Sequence, residues 1–272
     1  MNLDVNFLKQ NGVDVDKSLE LFGDMEIYNE TFQDYLNGID EKKSNLAKFK
    51  NLANWADYAI FAHSIKSDAR YLGFTKVAEV CLNHEMAGKE QNQHFIESDY
   101  DHLLKTVDGM TDIVKRYLAG EQAGSDTQAS NPTPEMPRPA VSTPTINIPK
   151  ESVIIIADDS PLIGNFAARI LEPTYKVVLT QDGKQTIELI EAGRYNVEAL
   201  LLDLNMPNVG GFEVLEYLKS KNIQVPTSII TGEDSKDMIN KAFTYNIVDM
   251  LVKPFSKDDL IRVVEKTKNY NL

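Results

Sequence analysis

The 272-residue chain carries one cysteine, Cys81. No disulfide can therefore close within it, and no thiolate cluster can hold a metal. Histidine is scarce too, at positions His63, His84, His94 and His102. No apolar run approaches the roughly 18 residues that would span a bilayer; VIIIA (153–157) and ALLL (199–202) are of strand length. The start, MNLDVNFLKQ, lacks a basic stretch followed by an apolar core, so no secretory leader is expected. These absences make the cytoplasm the expected location, without membrane insertion. Positive charge is in deficit, with 28 Lys and Arg against 41 Asp and Glu and a net charge of −13. Neither half is basic, which argues against nucleic acid as a partner. No glycine-rich nucleotide loop is present either, so an ATP-using kinase is not expected.

What is present is the composition of a globular protein, with 42% hydrophobic and 25% charged residues, long enough for two domains. Residues 120–149 (GEQAGSDTQASNPTPEMPRPAVSTPTINIP) hold six of the eleven prolines and almost no aliphatic periodicity. Such a segment buries too little apolar surface to offset its ordering entropy, and reads as a flexible linker. It separates an expected domain at 1–119 from another at 150–272.

Before the linker the pattern is helical. Phe32, Tyr35, Leu36 and Ile39 fall at i, i+3, i+4 and i+7 of a segment spanning 25–50. Further segments at 54–71, 74–89 and 95–118, with shorter ones at 3–10 and 15–22, predict an antiparallel helical bundle. After the linker, SVIIIA, YKVVLT, EALLLD, PTSIIT and IVDMLV alternate with amphipathic stretches. That texture predicts a doubly wound five-stranded parallel α/β domain, flavodoxin-like. The overall class is thus α plus α/β.

In such a sheet, chemistry sits beyond the carboxyl ends of the strands. The first expected strand runs into Asp158 and Asp159, the third into Asp203 with Asn205 behind it. The fourth ends at Thr231, ahead of Glu233, and the fifth delivers Lys253. Three carboxylates brought together repel one another unless they take up protons or a cation. A hard divalent ion with oxygen ligands, Mg²⁺, suits them. Thr231 and Lys253 supply a hydroxyl and a point charge for a phosphoryl group. The pattern points to a Mg²⁺-assisted phosphoryl acceptor with Asp203 as nucleophile.

These residues, in the motifs IIIADDSP, LLLDLNMP followed by Gly211, IITGE and VKPF, resemble the receiver domain of two-component response regulators over roughly 151–271. The resemblance implies that Asp203 is the phosphorylated aspartate. It also implies that Asp159, Asp203 and the backbone carbonyl of Asn205 hold Mg²⁺, with Asp158 acting mainly through water, and that Thr231 and Lys253 grip the phosphate. Asn205 and Glu233 would flank it and tune its hydrolysis. Met250 stands where the family usually has Tyr or Phe, which puts the usual output switch in doubt.

In AHSIKSDARYLG (62–73), His63 lies two residues from both Phe61 and Ile65, about 200° round a helix from each. With Tyr58, Ala69 and Leu72, those two form the expected buried stripe, so His63 is expected on the opposite, exposed face. Lys66 and Arg70 would accompany it there. An imidazole in that setting offers a neutral nitrogen as nucleophile, and the two cations would offset the charge of a phosphoryl group. A merely solvated histidine is the competing reading.

The stretch resembles the core of a histidine-phosphotransfer (HPt) domain, with His63, Lys66 and Gly73 at the family's spacing. The resemblance covers roughly 10–119 and implies that His63 carries phosphate. Ser67 and Asp68 depart from the commoner Gly and Ser, and the charge of Asp68 is expected to weaken docking or to retune partner choice. The other histidines are expected to be solvated, with His84 near the docking face.

The expected function is phosphorelay signalling. Asp203 takes phosphate from a phosphohistidine, and His63 carries it to or from receiver aspartates. Sensor histidine kinases, other receivers or other HPt proteins are the expected partners, and the chain is a carrier and not an ATP-dependent enzyme. The alternative is a phosphorylation-switched docking module whose bundle transfers nothing. A haloacid-dehalogenase-type phosphatase would want an acid two residues after Asp203, where Asn205 stands.

Overall fold

Short connections set the architecture of the N-terminal part. In the computed structural model, which describes residues 3–120, 150–232 and 236–270, helices α1 (Val5–Gln10) and α2 (Val15–Phe22) precede four longer ones. These are α3 (Met25–Asn51), α4 (Trp55–Tyr71), α5 (Thr75–Lys89) and α6 (Gln93–Leu118). Each pair of long helices is joined by residues too few to do more than reverse the chain, so neighbours run antiparallel. The starts are set locally: the side chains of Asp24, Asn54 and Asn92 accept hydrogen bonds from the first-turn amides of α3, α4 and α6, the usual stabiliser of a helix N-terminus. Gly73 closes α4 with φ +83, and a Cβ there would sit 2.6 Å from the Asp14 carbonyl oxygen. Only glycine fits that turn.

The expected stripe of α4 is buried, with Tyr58, Phe61, Ile65, Ala69 and Leu72 all in the core. Phe32, Tyr35 and Ile39 of α3 pack beside it. The helices lie within two residues of their expected ends. The proline-rich stretch lies, apart from Gly120, outside the described residues.

From residue 151 the chain alternates β1 (Glu151–Ala157), α7 (Pro161–Leu171), β2 (Val177–Thr180), α8 (Gly183–Glu191), β3 (Tyr195–Asp203), α9 (Gly211–Ser220), β4 (Thr227–Thr231), α10 (Lys236–Phe243), β5 (Met250–Val252) and α11 (Lys257–Lys268). The five strands form one parallel sheet in the order β2-β1-β3-β4-β5. Strands buried on both faces read as continuous apolar runs, as VIIIA and ALLL do. The order reverses beside β1, which leaves a crevice at the carboxyl ends of β1 and β3.

The helical part packs on that end of the sheet. Pro161, the first residue of α7, lies against α3, where a Cβ on Gly38 would be 3.4 Å from its ring. Phe166 of α7 is fully buried, edge-on to Phe22 at 4.8 Å and to Tyr71 at 6.0 Å. Tyr71 also meets Phe255 edge-on at 5.7 Å and accepts a hydrogen bond from its amide at 3.1 Å. The apolar core is therefore continuous across the two parts. Polar contacts flank it: Asn165 and Arg169 of α7 donate to Asp34 of α3 at 2.8 and 2.7 Å, and Arg169 pairs with Glu30 at 2.7 Å. No helix among the described residues is long and apolar enough to cross a membrane.

Candidate functional site

The parallel sheet brings its chemistry to one rim because all five strands point the same way. Asp158 and Asp159 follow β1, Asp203 ends β3, Thr231 ends β4, and Lys253 follows β5. One carboxylate oxygen from each of Asp158, Asp159 and Asp203 lies within 4.8 Å of the others. Lys253 Nζ sits 2.7 Å from Asp158 Oδ2 and 2.5 Å from Asp203 Oδ2. The lysine amide donates to the Thr231 carbonyl at 2.7 Å, and the Asn205 amide donates to Asp203 Oδ1 at 3.0 Å.

The charges at this rim are not balanced by Lys253 alone. Burial pushes Asp158 up to about 6, against the attraction of Lys253 and with the help of the Asp203 charge. Burial likewise pushes Asp159 up to about 7, opposed first by Lys42 and reinforced by Asp158 and Asp203. Lys253 is held above its usual range: burial disfavours its charge, but Asp158 and Asp203 together outweigh that. Carboxylates that hold their protons for want of positive charge fit a hard divalent cation, and Asp158, Asp159 and Asp203 are oxygen donors close enough to share one.

His63 differs from the expectation. It is only 3% exposed, and Lys66, Ser67 and Asp68 are buried with it. The face opposite the α4 stripe does point away from the bundle core, but the α/β part covers it. A Cβ on Gly232 would lie 2.8 Å from both Cε1 and Nε2 of His63, so the imidazole edge rests on the residue after Thr231. On its other edge, Nδ1 lies 2.9 Å from Glu85 Oε1 of α5. Lys66 Nζ, a donor, also lies 3.1 Å from Nδ1, but the nearer Glu85 carboxylate can only accept, which favours the tautomer with the proton on Nδ1 and the lone pair on Nε2. Nε2 is buried and has no hydrogen-bond partner among the described residues. Burial lowers the His63 pKa below 6.5, the Glu85 hydrogen bond pulling the other way and Lys66 adding to the lowering. The ring is neutral at neutral pH.

Glu85 organises this cluster. It accepts from Lys66 Nζ at 2.5 Å and pairs with Lys89 at 2.9 Å. Burial works against its charge, but His63 and Lys66 hold it well below the usual carboxylate range. Burial also lowers Lys66, with Glu85 opposing. Lys66, Arg70, Lys89 and Lys253 line, with Gly232, a cavity of about 310 Å³ on one side of His63. A second cavity, of about 290 Å³, reaches from His63 and Glu85 to Asn205, whose Nδ2 also lacks a partner.

Two further expectations are corrected. Asp68 does not oppose the contact between the two parts: its Oδ1 accepts a 2.6 Å hydrogen bond from Ser160, while Lys42 holds Oδ2 at 2.5 Å. The Lys42 charge removes the repulsion expected from sequence. His84 is fully buried and not solvated, its Nδ1 bonded to the Tyr58 hydroxyl at 2.7 Å and its Nε2 3.2 Å from Asp99. His94 and His102 are exposed as expected. Met250 is half-buried on β5, and Glu233 lies outside the described residues. Glu85, Lys42 and Ser160 carried no signal as site residues, since each acts on a partner from another helix or from the other part of the chain.

Comparison with known proteins places the C-terminal part. Residues 154–265 match the family model of the response regulator receiver domain. The cell cycle transcriptional regulator CtrA of Caulobacter vibrioides is 30% identical over 122 residues, 43% of this chain and 52% of that protein. The cell cycle response regulator CtrA of Brucella ovis is 29% identical over the same length and shares. This chain thus spans about half the length of the curated relatives it matches. Among solved structures, the receiver domain of the Francisella response regulator 1452 is 29% identical, covering 43% of this chain and 97% of that one, with a TM-score of 0.40.

Proposed function

Taking residues 154–265 as a response regulator receiver domain, we propose that the chain is a two-station phosphorelay protein. In it Asp203 is the aspartyl-phosphate station, and His63, on an HPt-like bundle, exchanges phosphate with it. The domains are then 1–119 and 150–272, with 120–149 as the linker. The observation that carries the reading is His63 Nε2: a neutral nitrogen without a hydrogen-bond partner among the described residues, buried against Gly232 at the end of β4 that also presents Thr231.

The geometry supports the following route for transfer from Asp203. The Nε2 lone pair attacks phosphorus, the P–O bond to Asp203 breaks, and the electron pair returns to the carboxylate as the N–P bond forms. Nδ1 keeps its proton, so the ring becomes cationic, and the Glu85 carboxylate on Nδ1 stabilises that charge. The reverse step runs through the same contacts. Lys253 and Thr231 receive the charge spread over the phosphoryl oxygens, and Lys66 and Arg70 extend the positive field on the His63 side. Mg²⁺, held by Asp158, Asp159, Asp203 and the Asn205 carbonyl, would neutralise the carboxylates and polarise the phosphoryl group. Asn205 and Glu233 are positioned in sequence to influence attack by water. Sensor histidine kinases, other receivers or other HPt proteins are the partners this chemistry requires, and the chain acts as carrier, in the cytoplasm, without an ATP site of its own.

The test is to phosphorylate the protein with acetyl phosphate and count acid-labile and base-labile phosphate in wild type, His63→Gln and Asp203→Asn. Wild type is expected to show both kinds, His63→Gln only base-labile phosphate, and Asp203→Asn neither. Base-labile phosphate alone in the wild type would leave the bundle as a docking module that transfers nothing.

A further inference from the structure

Asp68 sits where three fully enclosed groups meet: it is 2% exposed, Lys42 4% and Ser160 1%. Each carboxylate oxygen has one partner. Lys42 of α3 holds Oδ2 at 2.5 Å from within the bundle, and the Ser160 hydroxyl donates to Oδ1 at 2.6 Å from the loop between β1 and α7. The serine is fully used. Its single proton goes to Asp68, its oxygen accepts from the Ile163 amide at 3.4 Å to cap α7, and its own amide donates to Asp158 at 3.0 Å. The contact therefore ties α4, five residues beyond His63, to the loop that carries two of the three clustered aspartates.

We propose that Asp68 determines which receiver docks over His63, by requiring a hydrogen-bond donor at the position of Ser160. This deepens the phosphorelay reading and rests on it only for the word receiver. A carboxylate buried with one oxygen unsatisfied pays its desolvation without return, so a receiver with an aliphatic side chain at that position docks poorly. One with an acidic side chain there sets two carboxylates together, and Lys42 neutralises only one. A site built around a buried hydrogen bond rejects the partner that lacks it far more strongly than an apolar pocket rejects a change of size. Asp68 is thus a specificity residue that keeps His63 matched to the receiver of its own chain. Lys42 makes the device workable by holding Asp68 Oδ2 in place from within the bundle.

The experiment uses the full chain as wild type, Ser160→Ala, Asp68→Ala and the double variant. Closure is read as protection of His63 from diethyl pyrocarbonate, followed by peptide mass spectrometry. Labelling of Asp203 by acetyl phosphate confirms in each that the α/β part is intact, and circular dichroism does the same for the bundle. Ser160→Ala is expected to raise the His63 modification rate about ten- to a hundredfold in the wild-type background, the range for a lost hydrogen bond to a charged group. In the Asp68→Ala background it is expected to change the rate by less than about twofold, because the partner is already gone. An equal effect of Ser160→Ala in both backgrounds, or none in either, overturns the inference. Should Asp68→Ala fail to fold, Asp68→Asn replaces it; its amide offers one acceptor oxygen where Lys42 and the Ser160 hydroxyl use two, and the effect of Ser160→Ala is again expected to shrink. Phosphate is followed separately. If the wild type closes in this Asp68-dependent way yet passes no phosphate to His63, the relay reading fails and the docking role of Asp68 stands. If phosphate reaches His63 at a rate indifferent to Ser160→Ala, the relay stands and the specificity role fails.

Discussion

At the scale of single residues, the proposed relay turns on the state of His63. Its neutral form is the nucleophile, and burial places its pKa below the 6.5 of a free imidazole. A lowered pKa keeps the ring unprotonated as pH falls through 6.5, so transfer from Asp203 is lost only further down. The single-turnover rate of His63 labelling is therefore expected to fall on the acid side with a midpoint below 6.5; a midpoint at or above it would mean that Glu85 outweighs burial. Glu85→Gln removes the carboxylate that accepts from Nδ1 and Lys66. It is expected to slow labelling of His63 by about ten- to a hundredfold, in line with the loss of a charged hydrogen bond. Acetyl phosphate labelling of Asp203 should be unchanged. Gly232→Ala sets a methyl 2.8 Å from the imidazole, closer than any real Cβ contact. It is expected to abolish transfer to His63 while Asp203 still takes phosphate from acetyl phosphate, a difference read directly from acid- and base-labile counts.

At the scale of elements, α7 is the part of the α/β unit that the helical part holds. It is apolar on the side facing Phe22 and Tyr71 and carries Asn165 and Arg169 beside that patch. Phe166 is buried largely by contact with Phe22, Tyr71 and Phe255. Phe166→Ala removes an aromatic ring whose full burial is worth about 3–5 kcal/mol in a core. The two parts are expected to separate, seen as an increase in the radius of gyration by small-angle X-ray scattering. The sheet and the labelling of Asp203 should survive, because the sheet's second face packs through a different cluster around Val153, Leu200 and Ile229. Retention of the wild-type radius in Phe166→Ala would show that the polar contacts at Asp34 and Asp68 suffice. The element boundaries themselves were legible in sequence, since helix starts at Asp24, Asn54 and Asn92 are local capping events.

At the scale of the whole molecule, closure would make the proposed exchange an event within one chain. Docking across a continuous core predicts that His63 labelling from phospho-Asp203 is first order and independent of protein concentration. Excess unlabelled His63→Gln protein should not compete. A rate proportional to concentration would instead indicate exchange between chains. The same closure covers Asp203 and His63 at once, so a partner reaches either only after the parts separate. Metal removal acts earlier in the sequence of events. With EDTA, acetyl phosphate labelling of Asp203 is expected to disappear, and Mg²⁺ or Mn²⁺ to restore it, because Asp158, Asp159 and Asp203 crowd within 4.8 Å while Lys253 pairs with Asp158 and Asp203 alone. Equal labelling with and without EDTA would remove the cation from the mechanism.

The sequence by itself determined the elements and the acidic rim. Strand and helix periods are local properties, and a parallel sheet brings every strand's carboxyl end to one side, so Asp158, Asp159, Asp203, Thr231 and Lys253 had to converge once the βα repeat was recognised. It also determined that His63 faces away from its own bundle's core, because 3.6-residue periodicity relates residues of one helix to each other. What covers that face was decided only by the tertiary structure. Periodicity contains no term for a surface supplied by Gly232, far along the chain, and burial of His63 depends on just that surface. The same holds for Glu85, whose position against His63 depends on the offset between α4 and α5. It holds again for Asp68, a repulsive charge when read alone and an anchoring one when Lys42 and Ser160 close on it.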